Sequence, residues 1–527
     1  MNSKLQLCPL LRVVAMLIVG IVLGDVLADK VDVRVWLGAF VVSVVAAFAV
    51  YNTKVGPMVQ SLMLFVCIII GGALRMSVGV EQSRYSFIDT DEPFAAVVAS
   101  LPVEREKTVR CELIVAEGRF AGHRVYAYMP KKADVEQPMT LSIGDGIVGK
   151  AQFKGIDDYT RQGDTDNRRG GAHFDYQRWL KVHDIVGRTF LRNGEWRREV
   201  VRLDNLSGVQ RVQLKCGTLR EYLLKRYREL ATSDEAYAVV AAMTLGDKSG
   251  LTTELRESFS VSGASHVLAL SGLHLGILYA LLTMIFGGIR RRALASMLVI
   301  VAVWGYAAMV GMPLSLLRSA VMLTLYTLTQ MALRNNASLN FLAFAALVVL
   351  LSSPWSLWDV GFQMSFLAVL GILLFNERFR IFVSRKYLKA HPVANWCFSM
   401  VVVSVSAQLM VAPLVAYYFG RYSCYFLLSN FIAIPLATVL IYLSVVMYAL
   451  FFVPGVQGMV AMAVGWVAKV LTEALGWVAS LPGASVDGIE MSAVQLWLVY
   501  SVVAVVYALL FYFEKMYKPF DNYRPKL

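Results

Sequence analysis

Long apolar runs dominate the chain, and they lie on both sides of a single polar stretch. Three runs of roughly 20 residues, the length that spans the hydrocarbon core of a bilayer, occupy about 10–28, 33–51 and 56–74. The polar stretch extends from about 80 to 230. Further runs follow it, near 264–287, 293–310, 314–333, 338–353, 357–375, 397–419, 424–452, 456–480 and 492–513. The pattern predicts a polytopic α-helical membrane protein with about twelve transmembrane helices.

The polar stretch has a different periodicity, in which apolar and polar residues alternate at 109–115, 125–129 and 147–153. Such alternation is typical of half-buried β-strands, so we expect a small β-barrel. An amphipathic helix is predicted at about 208–230. Its polar face carries four cations, Arg220, Lys225, Arg226 and Arg228. This helix would lie along the membrane surface or pack on the barrel.

Composition supports a membrane protein. Of all residues, 57% are hydrophobic and 17% are charged, whereas soluble domains are about 45–50% apolar and about 25% charged. The first run ends at the small residue Ala28, as a cleavable signal peptide would, but it is long for one and two more runs follow at once. We therefore expect it to remain as a transmembrane helix.

The charges of the connections predict the orientation of the chain, because cytoplasmic loops are enriched in Lys and Arg. With Lys4 and Arg12 on the cytoplasmic side, the basic clusters at 290–292 and 378–389 and the basic C-terminal tail all fall on that side. Both termini are therefore predicted to be cytoplasmic, and the polar stretch external. Among the connections between the apolar runs that follow the polar stretch, Arg421 is the one cation that this count places outside.

The densest polar cluster within an apolar region lies at 259–276 and includes His266, Ser271, Gly272 and His274. Histidines and hydroxyls are costly in hydrocarbon unless they face protein or water. Two interpretations stay open: close packing of helices through small residues, or the wall of a polar pathway. Ser271 and His274 share a helix face, but same-helix geometry rarely aligns such a pair and no acidic residue lies in the run. A membrane hydrolase is therefore disfavoured.

Other polar residues recur in the later apolar runs, namely Arg318, Gln363, Ser365, Gln408 and Asn430. An arginine in a span needs a water-filled route, an anionic partner, or a position near the interface from which it can snorkel. We expect Arg318 and His274 to meet in one polar cavity, since each is an isolated polar group in an apolar run.

The remaining motifs predict neither a metal site nor a cofactor. Cys111 and Cys216 are the two cysteines of the polar stretch, and they could form a disulfide if that stretch is external. His173 and His183 are the closest histidines there, but their spacing is weak for a metal site. The sequence contains no GxxxxGK[ST] or HExxH motif and no GxGxxG motif at a strand-to-helix turn, so neither ATPase nor nuclease activity is expected.

Five runs carry a family resemblance: ASHVLALSGLHLG, GMPLSLLRSAVML, GFQMSFLAVLGILL, AQLMVAPLVAYYFGRYSCYFLLSNFIAIPL and HFDYQRWL. The first four resemble, in order, the competence domain of the ComEC-type DNA-uptake channels. The fifth resembles the external OB-like domain of that family. The resemblance covers almost the whole chain and implies a channel in the bacterial inner membrane. Such a channel takes single-stranded DNA into the cytoplasm during natural transformation.

The resemblance implies five segments, which are transmembrane helices at 1–78, an external OB-like domain at 79–207, amphipathic or interfacial helices at 208–262, the channel at 263–514 and a basic cytoplasmic tail at 515–527. The polar residues of the apolar runs would form the DNA pathway. Cations and aromatic rings of the external domain would bind DNA, namely Arg168, Arg169, Phe174, Tyr176, Arg178 and Trp179. Because aspartates lie next to these cations, a second interpretation stays open, in which the segment is a solvated loop and not a DNA-binding surface.

The implied partners are single-stranded DNA, membrane lipid, a cytoplasmic motor ATPase and a DNA receptor. Many family members also have a C-terminal metallo-β-lactamase-like nuclease domain with an HxHxDH motif. This sequence contains no such motif, so a separate nuclease is expected. A homo-oligomer is left open. The alternative function is a transporter or flippase for another anionic substrate.

Overall fold

The structure is a computed structural model that describes residues 9–52, 56–131, 138–155, 175–289, 291–331 and 338–521. The described residues form two compact units. The first contains the residues up to 155 together with 175–223 and 304–359. The second contains 224–303 and 360–521.

Three apolar helices open the first unit: α1 (Pro9–Val26), α2 (Val33–Tyr51) and α3 (Pro57–Gln82). Helices α1 and α3 approach so closely that a Cβ atom at Gly20 would lie 2.1 Å from the backbone oxygen of Ile69. Glycine therefore brings the two backbones into contact. Such close packing matters in lipid, where apolar helices gain little from the hydrophobic effect when they associate.

The polar stretch folds into a sheet of eight strands. They are β1 (Glu92–Val98), β2 (Val103–Glu104), β3 (Thr108–Glu117), β4 (Arg124–Pro130), β5 (Gly146–Ala151), β6 (Phe153–Gly155), β7 (Ile185–Phe190) and β8 (Trp196–Arg198). The strand order is β6-β7-β4-β3-β1-β5-β8, with β2 paired to β3. The pair β4 and β7 is parallel. Among the described strands, β6 and β8 end the pairing path, so the closed barrel predicted from the alternation is wrong.

Gln152 connects two strands that lie near opposite ends of the pairing path. It is the single residue between β5, which pairs with β1 and β8, and β6, which pairs with β7. Because only one residue separates β5 from β6, the sheet must curl to bring these two parts of the path together. The curled sheet nevertheless encloses one apolar core, which includes Phe94, Leu113, Met129 and Phe153.

Two helices accompany the sheet, α4 (Tyr176–Val182) before β7 and α5 (Gly208–Leu230) after β8. Leu214 of α5 is buried against Ile114 and Ile143. The Ile143 amide donates a hydrogen bond of 2.9 Å to Glu221 of the same helix. The predicted amphipathic helix is thus present, and it packs on the sheet.

Cys111 and Cys216 are both free thiols in this structure, so the disulfide that they could form is absent from it. Cys111 points into the core inside the curled sheet, whereas its strand neighbour Ile114 faces Leu214 of α5, the helix that carries Cys216. Successive side chains of a strand point to opposite faces, so the sheet itself separates the two sulfurs. Burial raises the pKa of the Cys111 thiol to about 12, which keeps it protonated and inert.

The remaining helices follow in chain order. They are α6 (Asp234–Val240), α7 (Thr253–Val261), α8 (Ser265–Leu268), α9 (Gly272–Phe286), α10 (Arg292–Met309), α11 (Leu314–Met331), α12 (Ser338–Ser352), α13 (Val360–Phe379), α14 (Arg385–Ala390), α15 (Pro392–Phe419), α16 (Phe426–Ala449), α17 (Pro454–Ser480) and α18 (Ala493–Asp521). In the second unit α13 packs along α15, and α16 packs along α17. A small two-stranded sheet there pairs β9 (Arg421–Ser423) with β10 (Ser485–Asp487).

Within the described ranges, nine helices are long and apolar enough to cross a membrane: α1, α2, α3, α10, α13, α15, α16, α17 and α18. Three shorter apolar helices, α9, α11 and α12, lie at the other predicted runs. The fold thus agrees with a polytopic membrane protein. The number of about twelve spans and the division into five segments remain predictions.

Candidate functional site

The run at 264–287, predicted as one transmembrane helix, is interrupted. Helix α8 ends at Leu268 and α9 begins at Gly272. Between them the backbone is extended, with ψ 135° at Ala269 and φ −123°, ψ 171° at Ser271. The first amides of α9 have no partner within the helix. They give positive partial charge to a break inside an apolar run, an arrangement that favours anions.

Ser271 and His274 form the N-terminal cap of α9. The Ser271 amide donates to Nδ1 of His274 at 3.3 Å, and Ser271 Oγ lies 3.0 Å from the same nitrogen. Histidine thus takes the place that Glu or Gln has in a capping box. We expected the Ser271 hydroxyl and the His274 imidazole to be misaligned, and this expectation is wrong. Ser271 precedes the helix, and its extended backbone turns the hydroxyl toward the ring.

His274 is only 2% exposed. Its Nε2 atom is buried, and no described residue forms a hydrogen bond of normal geometry with this atom. The backbone carbonyl of Val267 also interacts with the ring. These contacts include no acidic group that would orient the imidazole for nucleophilic catalysis. The arrangement suits capping and contact with an anion. His266, by contrast, is exposed.

Arg421 joins three segments of the second unit. It donates to Glu257 at 2.7 Å and to Ser260 Oγ at 3.0 Å, both on α7, and also to Asp487 on β10. The hydrogen bond to Glu257 is the main cause that raises the pKa of Arg421 above its ordinary value. We call Arg421, Glu257, Ser260 and Asp487 the Arg421 cluster. This cation, which the loop charges place on the outer side, is therefore neutralised by two carboxylates.

Two further contacts fix the chain between α7 and the interruption. Gly263 has φ +83°, and a Cβ atom there would lie 2.7 Å from Ser423 Oγ on β9. Ser429 on α16 donates to the carbonyl oxygen of Ser262 at 2.6 Å. Together with the Arg421 cluster, these contacts set where the interrupted segment begins.

The family model described as competence protein matches residues 243–516, which is more than half of the chain. This range includes the interrupted segment and the whole Arg421 cluster. The chain belongs to the competence protein family.

Two curated relatives of this competence protein match only in part. ComE operon protein 3 of Bacillus subtilis (strain 168) is 28% identical over 267 residues, which cover 50% of this chain and 32% of that protein. An uncharacterized protein of Aquifex aeolicus (strain VF5) is 29% identical over 200 residues, which cover 38% of this chain and 44% of that protein. The matched segments therefore span less than half of each relative. No solved structure matches.

Other predicted pathway residues of this competence protein make polar contacts with α15. Tyr418 of α15 donates to Gln363 of α13 at 3.0 Å. Asn430 of α16 donates through Nδ2 to Ser404 Oγ of α15 at 3.1 Å. Ser365 and Gln408 are partly buried. Polar side chains thus join three neighbouring apolar helices of the second unit.

Arg318 lies on α11 in the first unit and is 2% exposed. The carboxylate of Asp359 attracts its guanidinium electrostatically. Because Arg318 is buried, the interpretation with an anionic partner is favoured over the one in which Arg318 snorkels to the interface. The sequence alone did not indicate that Asp359 is this partner. His274 belongs to the second unit, so the cavity shared by Arg318 and His274 stays a prediction.

Three residues predicted to bind DNA in the external domain, Arg168, Arg169 and Phe174, lie outside the described residues. The other three lie on α4. Arg178 pairs with Asp25 of α1 at 3.1 Å, and its guanidinium lies 4.9 Å from the ring centre of Trp358. Tyr176 and Trp179 stack with their ring centres 5.6 Å apart. These contacts dock α4 within the first unit, and its role in DNA binding stays a prediction.

The contacts of His183 do not support a metal site, since its Nδ1 lies 2.8 Å from the carbonyl oxygen of Trp179 in the preceding helix α4. Its suggested partner His173 is outside the described residues. No group of three or more His, Cys, Asp and Glu side chains in the described part of the chain could hold a metal ion.

Proposed function

We propose that this competence protein is the membrane channel through which single-stranded DNA enters the cytoplasm during natural transformation. The observation that carries the proposal is the break between α8 and α9 inside an apolar run. Together with membership of the family, it supports a pathway for a polyanion through the membrane. Discontinuous membrane helices whose N-termini point at anionic groups are a recurring device of transport proteins.

The N-terminus of α9 suits a moving phosphodiester. The helix dipole and the N-terminal amides that the Ser271–His274 cap does not engage would stabilise a phosphate there without a fixed ion pair. Weak and repeated contacts allow a substrate to enter and also to leave. We infer that the His274 cap keeps these amides oriented, and that Gln363 and Asn430 contribute polar contacts along the same pathway.

The proposal includes an orientation and a set of partners. The chain would lie in the bacterial inner membrane, with both termini in the cytoplasm and the sheet outside. Transport would require a cytoplasmic motor ATPase and a DNA receptor as separate proteins, since the sequence has no phosphate-binding loop. A separate nuclease would degrade the second strand.

Replacement of His274 tests the pathway. We expect His274→Leu to abolish entry of labelled DNA while the protein remains inserted, because leucine can accept no hydrogen bond from the Ser271 amide. Arg318→Leu should do the same if Arg318 faces the pathway. Entry of fluorescent DNA into cells, with protein levels in the membrane measured in parallel, is the readout.

His274→Gln is the matched control, since glutamine at this helix position can accept from the cap amide as histidine does. It should keep a substantial part of the uptake. Normal uptake in both leucine variants would show that the break serves packing alone. Unchanged DNA entry in cells that lack the whole chain would instead favour a transporter or flippase for another anion, because the amides of a helix N-terminus do not select DNA.

A further inference from the structure

Helix α17 carries a charged pair on its exposed side, near the middle of an apolar helix. Lys469 and Glu473 lie one turn apart with 3.7 Å between Nζ and Oε1, and their side chains are 71% and 66% exposed. Ionised groups within a membrane span are expensive in contact with lipid and normally face protein or water. The exposed pair therefore needs a partner that the described residues of this chain do not provide.

The pair belongs to a continuous row along α17. The row consists of Met459, Met462, Trp466, Lys469, Glu473 and Trp477, all more than half exposed. Steps of three or four residues keep these side chains on one face, which is the spacing of helices that cross at about 20°. Methionine and tryptophan are also common in contact surfaces between proteins.

The opposite face of α17 is fully occupied, so the helix cannot rotate to hide the charges. Val464, Ala468 and Leu471 are completely buried. A Cβ atom at Gly465 would lie 2.2 Å from the hydroxyl oxygen of Thr232. The orientation of α17 within the second unit is thus fixed by packing, and Lys469 and Glu473 must stay on the outside.

We propose that the exposed row of α17 is the interface between two copies of this chain. Both copies insert with the same orientation, so α17 would meet its equivalent in parallel. The two lysines would lie at one level and the two glutamates one turn away. Each Lys469 could then contact Glu473 of its own chain and Glu473 of the partner subunit, which gives a ring of alternating charges.

A second copy fits this surface better than a partner of one charge sign. The row carries one cation and one anion, so a surface of a single sign would leave one of them unpaired, at a high cost in low dielectric. The same row on another copy supplies both opposite charges. Gly476, where an added Cβ would meet no atom within 4 Å, leaves room for a close approach.

Cysteine cross-linking of the full-length protein in its native membrane tests the interface. In a variant without the six native cysteines, Met462→Cys or Trp466→Cys should give cross-linked dimers on mild oxidation. Val439→Cys on α16 is the matched control, since Val439 is also apolar and 45% exposed but lies outside the row. Absence of dimers at both positions in a folded protein would overturn the proposal.

Charge variants then test the ring itself. Lys469→Glu would place four acidic groups together and should weaken dimerisation at least roughly tenfold. Exchange of the two residues, Lys469→Glu with Glu473→Lys, preserves the alternation and should restore dimers. Unchanged cross-linking in the single variant, or cross-links to a protein of different mass in place of the dimer, would contradict the assignment. None of these measurements depends on DNA transport.

Discussion

Gly263 has a backbone conformation that side chains rarely adopt, and Ser423 occupies the space that a Cβ atom would need. The left-handed region costs an L-residue about 1–2 kcal/mol, and the contact with Ser423 adds to that cost. We therefore expect Gly263→Ala to lower the Tm of the purified protein in detergent. The measurement is thermal denaturation followed by the loss of monodisperse protein.

Gly276→Ala is the corresponding control for glycine replacement in general. No atom lies within 4 Å of a Cβ atom built at Gly276, and alanine is about 1 kcal/mol better than glycine within a helix. The Tm of this variant should be equal to that of the wild type or higher. An equal decrease in both variants would contradict the special role of Gly263.

The sequence identified individual polar residues as candidates, but it did not predict what each of them does in the structure. Ser271 and His274 were identified because they interrupt an apolar run, yet their cap depends on where α9 begins. Lys469 and Glu473 were missed because averaging over a window of about 19 residues hides a charged pair. Arg421 lies in a connection that the loop charges place outside, where cations are uncommon. This exception could have indicated that carboxylates neutralise it.

The Arg421 cluster connects α7 to the small sheet of β9 and β10, and its strength is measurable. Arg421 is 23% exposed, and its partners Glu257 and Asp487 are more than half exposed. Such pairs contribute about 1 kcal/mol at most. We expect Arg421→Gln to speed amide hydrogen exchange in β9 and β10 about fivefold, measured by mass spectrometry.

Arg421→Lys separates charge from geometry in the same experiment. Lysine keeps the charge but lacks the planar fork that reaches Glu257, Ser260 and Asp487 together, so its exchange rate should be intermediate. High salt should reduce the difference between Arg421→Gln and the wild type. Identical rates at low salt in all three proteins would mean that the cluster does not stabilise the small sheet.

Helices and strands were predictable where one periodicity decides them. The apolar run at 33–51 coincides with α2, and the alternation around Leu113 and Met129 coincides with β3 and β4. The break at 269–271 was not predictable, because hydropathy does not depend on backbone conformation. Closure of the barrel was also not predictable, since alternation within single strands does not determine which strands pair.

Orientation in the membrane is a property of the whole molecule, and loop charges predict it. Arg202, which follows the sheet, and Lys386 on α14 are both exposed. We expect an introduced cysteine at position 202 to react with an impermeant maleimide in intact spheroplasts. A cysteine at position 386 should react only after permeabilisation, and the reverse result would overturn the predicted topology.

The sequence was sufficient to predict membrane helices and a β-rich polar domain. It did not predict that these elements form two compact units. Apolar runs define membrane helices one at a time, whereas the first unit joins helices α1 to α3 and the sheet to residues 304–359. Partners such as Arg178 with Asp25, or Arg318 with Asp359, are far apart in the chain. Contacts of that kind depend on packing and leave no local pattern.

The parallel pairing of β4 with β7 has a consequence for biogenesis. About 55 residues separate the two strands, so the pairing closes a long loop, and non-local pairing of this kind forms slowly. If the sheet folds outside the cytoplasm, β7 must cross the membrane before the edge of β4 is covered. Until then the exported segment exposes an unpaired strand, which is prone to aggregation. The yield of this domain would therefore depend on whether β7 pairs with β4 faster than proteases outside the cytoplasm cleave the unfolded segment.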